Sequence, residues 1–347
     1  MAVLVWASVA LRMSVSVKSV FLGLFSSSIL FSMKKLFTFL LPFIIISALQ
    51  AQKQKVILDC DLGDDIDDAY AVALMLSSTD KFDILGITTC YGRTHDRAEL
   101  ACKLLYETGL ERIPVALGRN TSSLNDRANW YADQYYWSKG FTKVQPIKQS
   151  AADFIIEQLH KYPNEVIVFS VGPVTNMKDV IEKDAGALKL AKKIIAMFGS
   201  FYIGYNGSPT INAEWNVAVD IEASKKFVNS GAPIVYAGLD ITTFVKWDKA
   251  SRERILYRQS PLTNALSGLT TLWSNEHTPT LFDAVAIGMA LYPDLFKTEK
   301  VFVEVDDKGF TRIDKTKTPN AEIGVSINTN EFLKRIMDVY LRQNLGR

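Results

Sequence analysis

Cysteine is scarce in this sequence of 347 residues, which contains only Cys60, Cys90 and Cys102. Three cysteines cannot all pair with one another, and Cys60 lies within a run typical of a buried strand. We therefore expect all three to be buried as small apolar side chains.

A basic excess is also absent. The formal net charge is +2, but residues 1–51 hold four basic residues and no acidic one, so the remaining chain carries −2. Nothing in this charge balance indicates nucleic-acid binding, and we expect no nucleic-acid partner.

The N-terminal segment has the parts of a secretory signal peptide. MKKLFTFLLPFIIISALQAQ, Met33 to Gln52, begins with a basic pair, continues as an apolar run and ends in small residues. This segment predicts Met33 as the true start and cleavage after Ala51. We expect residues 52–347 to form a single catalytic domain that is periplasmic or secreted. A second apolar stretch within residues 1–32 leaves a membrane anchor as the alternative.

Beyond residue 51 the chain has no repeat, and short β-branched runs alternate with amphipathic stretches. Strands are predicted at residues 56–58, 84–90, 114–117, 166–170, 194–198 and 234–238. Helices are predicted at residues 67–77, 97–108, 152–160 and 174–183. This alternation indicates βαβ units, and hence a Rossmann-like α/β fold in which a mostly parallel sheet is flanked by helices.

Polar residues follow the predicted strands. Asp59 and Asp61 come after the first, residues 172–176 after a later one, and Asp240 after the last. Ligands of such sheets bind beyond the carboxyl ends of the strands. We therefore expect one site at that edge of the sheet.

The stretch DCDLGDDIDDA, residues 59–69, contains six aspartates and no basic residue. Helix capping by Asp67 and Asp68 explains two of them at most. A hard cation would neutralise the rest, and a solvated acidic loop is the alternative. A metal at this place suits either a phosphatase with an aspartate nucleophile and Mg²⁺ or an enzyme that activates water for attack on carbon.

Four later segments extend this pattern. They are VGPVTNM (171–177), AEWNVAVDIEAS (213–224), LFDAVAI (281–287) and VFVEVDDKGFTR (301–312). Together with the acidic stretch, and in this order, they resemble the inosine-uridine preferring nucleoside hydrolase family; the last resembles its C-terminal hairpin. The glutamate-aromatic-asparagine match at residues 214–216 argues against the phosphatase.

The resemblance implies a nucleoside hydrolase fold and calcium-dependent cleavage of the N-glycosidic bond of ribonucleosides, giving free base and ribose, as in purine or pyrimidine salvage. It implies that Asp61 ligates Ca²⁺ and is the general base. It also implies a homodimer or homotetramer. The further metal ligands it implies are Asp68, Asp283 and a backbone carbonyl of Val174 or Thr175. The residues it places on ribose hydroxyls are Asp67, Asn206, Glu214 and Asn216. Asp59 would orient the site.

Three departures from the family pattern leave alternatives open. Two extra residues after Gly63 make Asp65 an alternative to Asp67 on ribose. Arg93 replaces a ribose-binding asparagine, either as a salt-bridge partner of an extra aspartate or as a contact for a substrate phosphate or carboxylate. Phe282 stands where many members have the histidine that protonates the leaving base.

The leaving-group acid is therefore open. His277 and His95 are candidates by position, whereas His160 is expected to be structural. An aromatic that stacks on the base is the other possibility, with Trp215, Trp130 or Trp137 as candidates. Two further functions also remain, namely hydrolysis of a different ribosyl compound and calcium-containing nucleoside or sugar binding without turnover.

Overall fold

The structure is a computed structural model that describes residues 53–121 and 133–346. Its strands are β1 Gln54–Cys60, β2 Phe82–Thr89, β3 Val115–Leu117, β4 Ile147–Ser150, β5 Val166–Ser170, β6 Lys193–Ala196, β7 Ile234–Tyr236, β8 Phe296–Val301, β9 Val303–Val305, β10 Thr311–Ile313 and β11 Ala321–Ile327. Its α-helices are α1 Asp67–Leu76, α2 Thr94–Glu107, α3 Tyr135–Ser138, α4 Ala151–Lys161, α5 Thr175–Lys183, α6 Trp215–Ala218, α7 Ile221–Val228, α8 Leu239–Thr242, α9 Lys249–Arg258, α10 Pro261–Trp273, α11 Phe282–Leu291 and α12 Thr329–Arg342.

Nine of these strands form one sheet in the order β4-β3-β2-β1-β5-β6-β7-β11-β8. All neighbours are parallel except β8, which runs antiparallel to β11 at the edge. The predicted α/β fold with a mostly parallel sheet is confirmed. The chain moves outward from β1 to β4 and then returns to place β5 on the other side of β1. That reversal opens a crevice at the carboxyl ends of β1 and β5, which is where such sheets bind ligands.

The central strands are almost wholly apolar because both faces of the sheet are covered. In β1 the side chains of Val56 and Leu58 belong to one buried cluster, and the intervening Ile57 belongs to another on the opposite face. Burial of each such side chain contributes about 1.5–3 kcal/mol. The two clusters hold the strand ends, and therefore the polar residues that follow them, in fixed positions.

Two helices that are buried along most of their length pack against each other above one face of the sheet. Every residue of α1 is buried, and α11 is buried from Asp283 to Met289. Both helices begin with acidic residues, because a carboxylate is favoured beside the positive end of the helix dipole. The packing of α1 on α11 thus joins the acidic stretch to a residue more than 200 positions later.

Most predicted elements match the structure within a few residues. The helix predicted from residue 97 begins at Thr94, and the strand predicted to end at residue 238 ends at Tyr236. The resemblance-based hairpin is also found, with β9 and β10 paired antiparallel. The predicted signal peptide and start at Met33 lie outside the described residues.

Two other expectations concern cysteines and membranes. Cys60, Cys90 and Cys102 are unpaired and buried, as expected from their number. Across residues 53–121 and 133–346, no helix combines the length and the apolar character needed to cross a bilayer.

Candidate active site

Asp59 anchors the floor of the crevice. Its carboxylate accepts hydrogen bonds from Thr88 Oγ1 at 2.5 Å and Asn176 Nδ2 at 2.6 Å, and Asn176 also donates to the carbonyl of Thr89 at 3.1 Å. Burial raises the pKa of Asp59 to about 7, although both hydrogen bonds act to lower it. One carboxylate oxygen thus ties β1 to β2 and α5, while the other, Oδ2, has no hydrogen-bond partner among the described residues.

The acidic turn after β1 wraps around the buried guanidinium of Arg97 on α2. Arg97 donates to the carbonyls of Asp61, Leu62 (3.2 Å) and Tyr91 (2.8 Å), and pairs with the carboxylate of Asp64 at 2.9 Å. A buried charge requires such partners, and here they come from the turn itself. Burial raises the pKa of Asp61 to about 7, while the charge of Arg97 opposes that rise.

Three carboxylates meet where α1 and α11 begin. One oxygen from each of Asp67, Asp68 and Asp283 lies within 4.8 Å of the others, and all three residues are buried. Asp67 accepts a hydrogen bond from the backbone N–H of Asp283 at 3.2 Å, whereas Asp68 Oδ1 has no hydrogen-bond partner among the described residues. Burial, followed by the charges of neighbouring aspartates, raises the pKa of all three.

This donor set fits a hard cation. Carboxylate oxygens are the ligands that Ca²⁺ and Mg²⁺ prefer, and a cation would remove the mutual repulsion that the raised pKa values record. The charge of Asp61 acts on Asp67, Asp68 and Asp283, so Asp61 borders the cluster. Asp67 lies within the cluster itself, next to the predicted metal ligands and not apart from them.

The loop after β5 lies directly against Asp61. A Cβ atom added at Gly172 would lie 2.5 Å from Asp61 Oδ1 and 2.6 Å from Cys90 Sγ, so only glycine permits this approach. The same loop leads into Val174 and Thr175, both buried at the start of α5, and Thr175 Oγ1 has no hydrogen-bond partner among the described residues. The predicted carbonyl ligands therefore follow, by two or three residues, a glycine that touches Asp61.

Glu214 and Asn216 lie at the start of α6, beside residues that follow β5 and β6. Glu214 accepts hydrogen bonds from the backbone N–H groups of Gly199 at 3.0 Å and Asn216 at 2.9 Å. Asn216 Nδ2 donates to the carbonyls of Val171 (2.9 Å) and Met197 (3.0 Å). Burial raises the pKa of Glu214 to about 7, with the backbone donors opposing it.

The geometry of the site agrees with the match of this sequence to a known protein family. A sequence model described as inosine-uridine preferring nucleoside hydrolase matches residues 56–334. The chain belongs to that family. As a nucleoside hydrolase it cleaves the N-glycosyl bond of ribonucleosides, and a nucleoside is its small-molecule partner.

Named relatives place the hydrolase among enzymes of similar length. It is 30% identical over 272 residues to uridine nucleosidase 1 of Arabidopsis thaliana, covering 74% of this chain and 79% of the relative. It is 28% identical over 305 residues to the pyrimidine-specific ribonucleoside hydrolase of Escherichia coli, covering 81% and 95% respectively. A solved plant nucleoside hydrolase is 26% identical, with a TM-score of 0.73 over 83% of this chain and 99% of that one. The predicted nucleoside hydrolase fold is thereby confirmed.

Asn206 is the predicted site residue that the structure leaves exposed. It adopts φ 57°, its backbone N–H donates to Thr243 Oγ1 at 2.8 Å, and its side-chain oxygen lies 3.4 Å from Lys246 Nζ. The remaining predicted residues, Asp61, Asp67, Asp68, Val174, Thr175, Glu214, Asn216 and Asp283, are buried at the carboxyl edge of the sheet or at the helix starts beside it. Asn206 belongs to the outer margin of the nucleoside hydrolase site.

Arg93 and the three histidines have partners of their own. Arg93 pairs with Asp96 at 2.5 Å, and its guanidinium lies over the ring of Tyr135; Arg97 is the arginine that pairs with the extra aspartate Asp64. The histidine contacts are His95 to Glu99 at 3.8 Å, His160 to Asp184 at 2.7 Å and His277 to Ser274 at 2.9 Å.

Arg97, Asn176 and Gln134 support the site, and none was expected to do so. Gln134 is fully buried and donates to the carbonyls of Asp65 (3.1 Å) and Asp64 (3.3 Å), which fixes the extra residues of the acidic turn. Asn176 lies inside VGPVTNM, so its segment had been identified but its role had not. Nothing local to Arg97 or Gln134 marks them, because their partners in the acidic turn lie 33 or more positions away in the chain.

Proposed function

We propose that this nucleoside hydrolase is a calcium-dependent enzyme that prefers pyrimidine ribonucleosides, uridine above all. The observation that carries the calcium dependence is the buried cluster of Asp67, Asp68 and Asp283, in which one carboxylate oxygen has no partner. The pyrimidine preference is supported by the names of its relatives, which are uridine nucleosidases and pyrimidine-specific hydrolases.

The residues that would hold calcium are Asp61, Asp68 and Asp283, with a backbone carbonyl of Val174 or Thr175. When bound, calcium supplies Lewis acidity that makes water a stronger acid and so a nucleophile near neutral pH. Asp67 lies beside these ligands, so a ribose hydroxyl held by Asp67 would lie next to the attacking water.

The chain's own groups carry the remaining steps. Asp61 accepts the proton of the attacking water, while Asp67, Glu214 and Asn216 hold the ribose hydroxyls. As the C–N bond stretches, the ribose gains oxocarbenium character, which the surrounding carboxylates stabilise electrostatically. Asp59 and Arg97 keep the acidic turn rigid, so Asp61 needs little reorganisation during the reaction.

The test is ribose release from uridine, cytidine, inosine and adenosine by the chain from Gln52 onward, with calcium or with chelator. We expect release to require calcium, to be fastest with uridine, and to fall by at least about 100-fold in Asp61→Asn. Asp80→Asn is the matched control, because Asp80 is an exposed aspartate that pairs with its neighbour Lys81 at the surface. Release without calcium, or a preference for inosine, would refute the corresponding part of the proposal.

Export and assembly are further parts of the proposal. We propose that the protein is exported with cleavage after Ala51 and that it forms a homodimer or homotetramer. The mass of the secreted or periplasmic protein would identify its first residue, and light scattering would give the number of subunits. A first residue upstream of Met33 or a monomer would contradict these statements.

A further inference from the structure

Lys246 is held firmly beside the segment that delivers Asp283 to the site. The N–H of Trp247 donates to the carbonyl of Pro279, and the N–H of Leu281 donates to the carbonyl of Val245, both at 2.8 Å. Lys246 itself forms an antiparallel β-bridge with Thr280. The position of this lysine is therefore coupled to that of Phe282 and the aspartate after it.

The ammonium group has donor capacity left for a ligand. Lys246 Nζ lies 2.6 Å from Thr280 Oγ1 and 3.4 Å from Asn206 Oδ1. An ammonium has three N–H donors, so two are directed at these oxygens and one remains. Because Thr280 is buried and its backbone is paired, the shorter contact restrains a side chain that would otherwise be free to rotate.

The ammonium of Lys246 also interacts electrostatically with the acidic turn, through Asp65. The charge of Lys246 lowers the pKa of Asp65, and the charge of Asp65 in turn acts on Asp67 and Asp283. Burial lowers the pKa of Lys246 itself, and Asp65 opposes that change. Lys246 is thus near Asp65, which in turn is near the carboxylates of Asp67 and Asp283.

Aromatic rings border the space beside Lys246. Tyr205, the residue before Asn206, packs edge-to-face on Phe282 with ring centroids 6.1 Å apart, and its hydroxyl accepts the N–H of Trp215 at 3.0 Å. The charges of Glu214, Asp67 and Asp65 act on the Tyr205 hydroxyl, so this hydroxyl is near those carboxylates. Aromatic side chains near a cation suit a planar, carbonyl-bearing ring.

Other cations near the site are committed elsewhere. Arg97 is buried and directs its donors at three carbonyls and Asp64. His95 and His277 are exposed, and their contacts are to Glu99 and Ser274. Among residues 53–121 and 133–346, Lys246 combines proximity to Asp65 with a remaining donor.

Cleavage of the glycosidic bond places negative charge on the departing base. We propose that Lys246 is the leaving-group residue of this enzyme and donates its remaining N–H to a carbonyl oxygen of the pyrimidine base. The inference rests on the proposed pyrimidine nucleoside hydrolysis, and it assigns to a lysine the part that Phe282 cannot perform.

The step balances without a further reactant. The electron pair of the C1′–N bond passes to the base, a water oxygen forms the new bond to C1′, and the proton of that water passes to Asp61. The base leaves as an anion that the Lys246 ammonium stabilises, and solvent then protonates it. Lys246 remains protonated throughout, so its contribution is electrostatic.

The test compares two leaving groups in the full-length enzyme. Uridine has a poor leaving group, whereas p-nitrophenyl β-D-ribofuranoside releases a stable phenolate that needs little assistance. We expect Lys246→Met to lower kcat with uridine by about 100-fold or more and with the phenyl riboside by less than about threefold. Lys246→Arg should recover part of the loss, and Thr280→Val, which removes the restraining hydroxyl, should lose about 10-fold with uridine alone.

Lys249→Met is the matched control, since Lys249 is exposed on α9 and pairs with Glu253. Equal losses with both substrates would show a general effect on the site and overturn the proposal, as would an unchanged kcat with uridine. A wild-type enzyme that cleaves only the phenyl riboside would overturn it too, because leaving-group assistance would then be absent. Cleavage of neither substrate would instead refute the proposed hydrolysis itself.

Discussion

At the residue scale, the site depends on side chains that neutralise or orient its aspartates. Six aspartates in eleven residues predict a cation from sequence alone, and the structure places two of them, Asp67 and Asp68, with Asp283. The sequence pattern does not reveal which residue pairs with each aspartate. Arg97 pairs with Asp64, and Asn176 holds Asp59, because distant parts of the chain meet only after folding.

Arg97→Met should destabilise the protein strongly. The substitution removes the donor for three backbone carbonyls and leaves the carboxylate of Asp64 without its cation, so we expect the free energy of unfolding to fall by about 3–5 kcal/mol. Denaturant unfolding with calcium present measures this loss. Arg93→Met is the matched control, because Arg93 is half-exposed and its loss should cost less than about 1 kcal/mol. Equal effects of the two substitutions would contradict the role given to Arg97.

Glu214→Gln should change how stability depends on pH. Burial raises the pKa of Glu214 from 4.5 to about 7, so the folded protein keeps a proton that the unfolded chain has already lost. The contribution of this group is therefore complete below pH 4.5 and is lost as the pH rises to about 7. Because glutamine does not titrate, the stability of the variant does not fall in this way as the pH rises.

Relative to the wild type, the variant should gain up to about 3 kcal/mol across that interval. Urea unfolding at a series of pH values measures the difference. Two curves that remain parallel would show that Glu214 does not titrate in the folded protein.

At the scale of elements, the alternation of strands and helices could be predicted because each strand is an apolar run bounded by polar residues. Elements with weaker patterns were missed. Strand β4 reads IKQS, in which only one residue is apolar, and its pairing with β3 makes it a strand. The helix α9 was not predicted, because it is mostly polar and buries one residue, Ile255.

Gly172→Ala tests the approach of the loop after β5 to the acidic turn. The added methyl group would lie 2.5 Å from Asp61 Oδ1 and 2.9 Å from the Asp61 backbone nitrogen, so the loop must move. We expect kcat to fall at least about 10-fold, since a displacement near 1 Å in a catalytic group has effects of this order or greater.

Gly186→Ala is the control for this variant, because its methyl group would meet only the carboxylate of Asp184, at 3.3 Å. Steady-state kinetics with uridine measures both variants. Full activity in Gly172→Ala would show that the loop does not position Asp61.

At the scale of the whole molecule, the order of the strands determines where the site lies. The reversal that places β5 beside β1 was not deduced from the sequence, although the polar residues at the strand ends predicted which edge of the sheet would bind. The position of Asn206 was also not predictable from a motif with loose spacing, and the structure places it at the exposed margin. The order of the motifs along the chain identified the family, whereas the order of the strands in the sheet determines which residues come into contact.

Calcium should raise the melting temperature of the whole protein. A ligand that binds only the folded state at 100 times its Kd stabilises it by about 2.7 kcal/mol, which corresponds to about 4 °C for a domain of this size. Thermal unfolding with calcium and with chelator measures the shift, and Asp68→Asn should abolish most of it. An identical shift in Asp68→Asn would exclude Asp68 as a ligand.

The hydrogen bond between Asp67 and the N–H of Asp283 joins two residues 216 positions apart. During synthesis or refolding, the first strands and α1 can assemble long before α11 exists, and the aspartates of the turn then repel one another with no helix to complete their cluster. Contacts of such high sequence separation form late and slowly. The site is consequently expected to be among the last parts of the protein to form, and if it holds calcium as proposed, retention of calcium would mark the completion of folding.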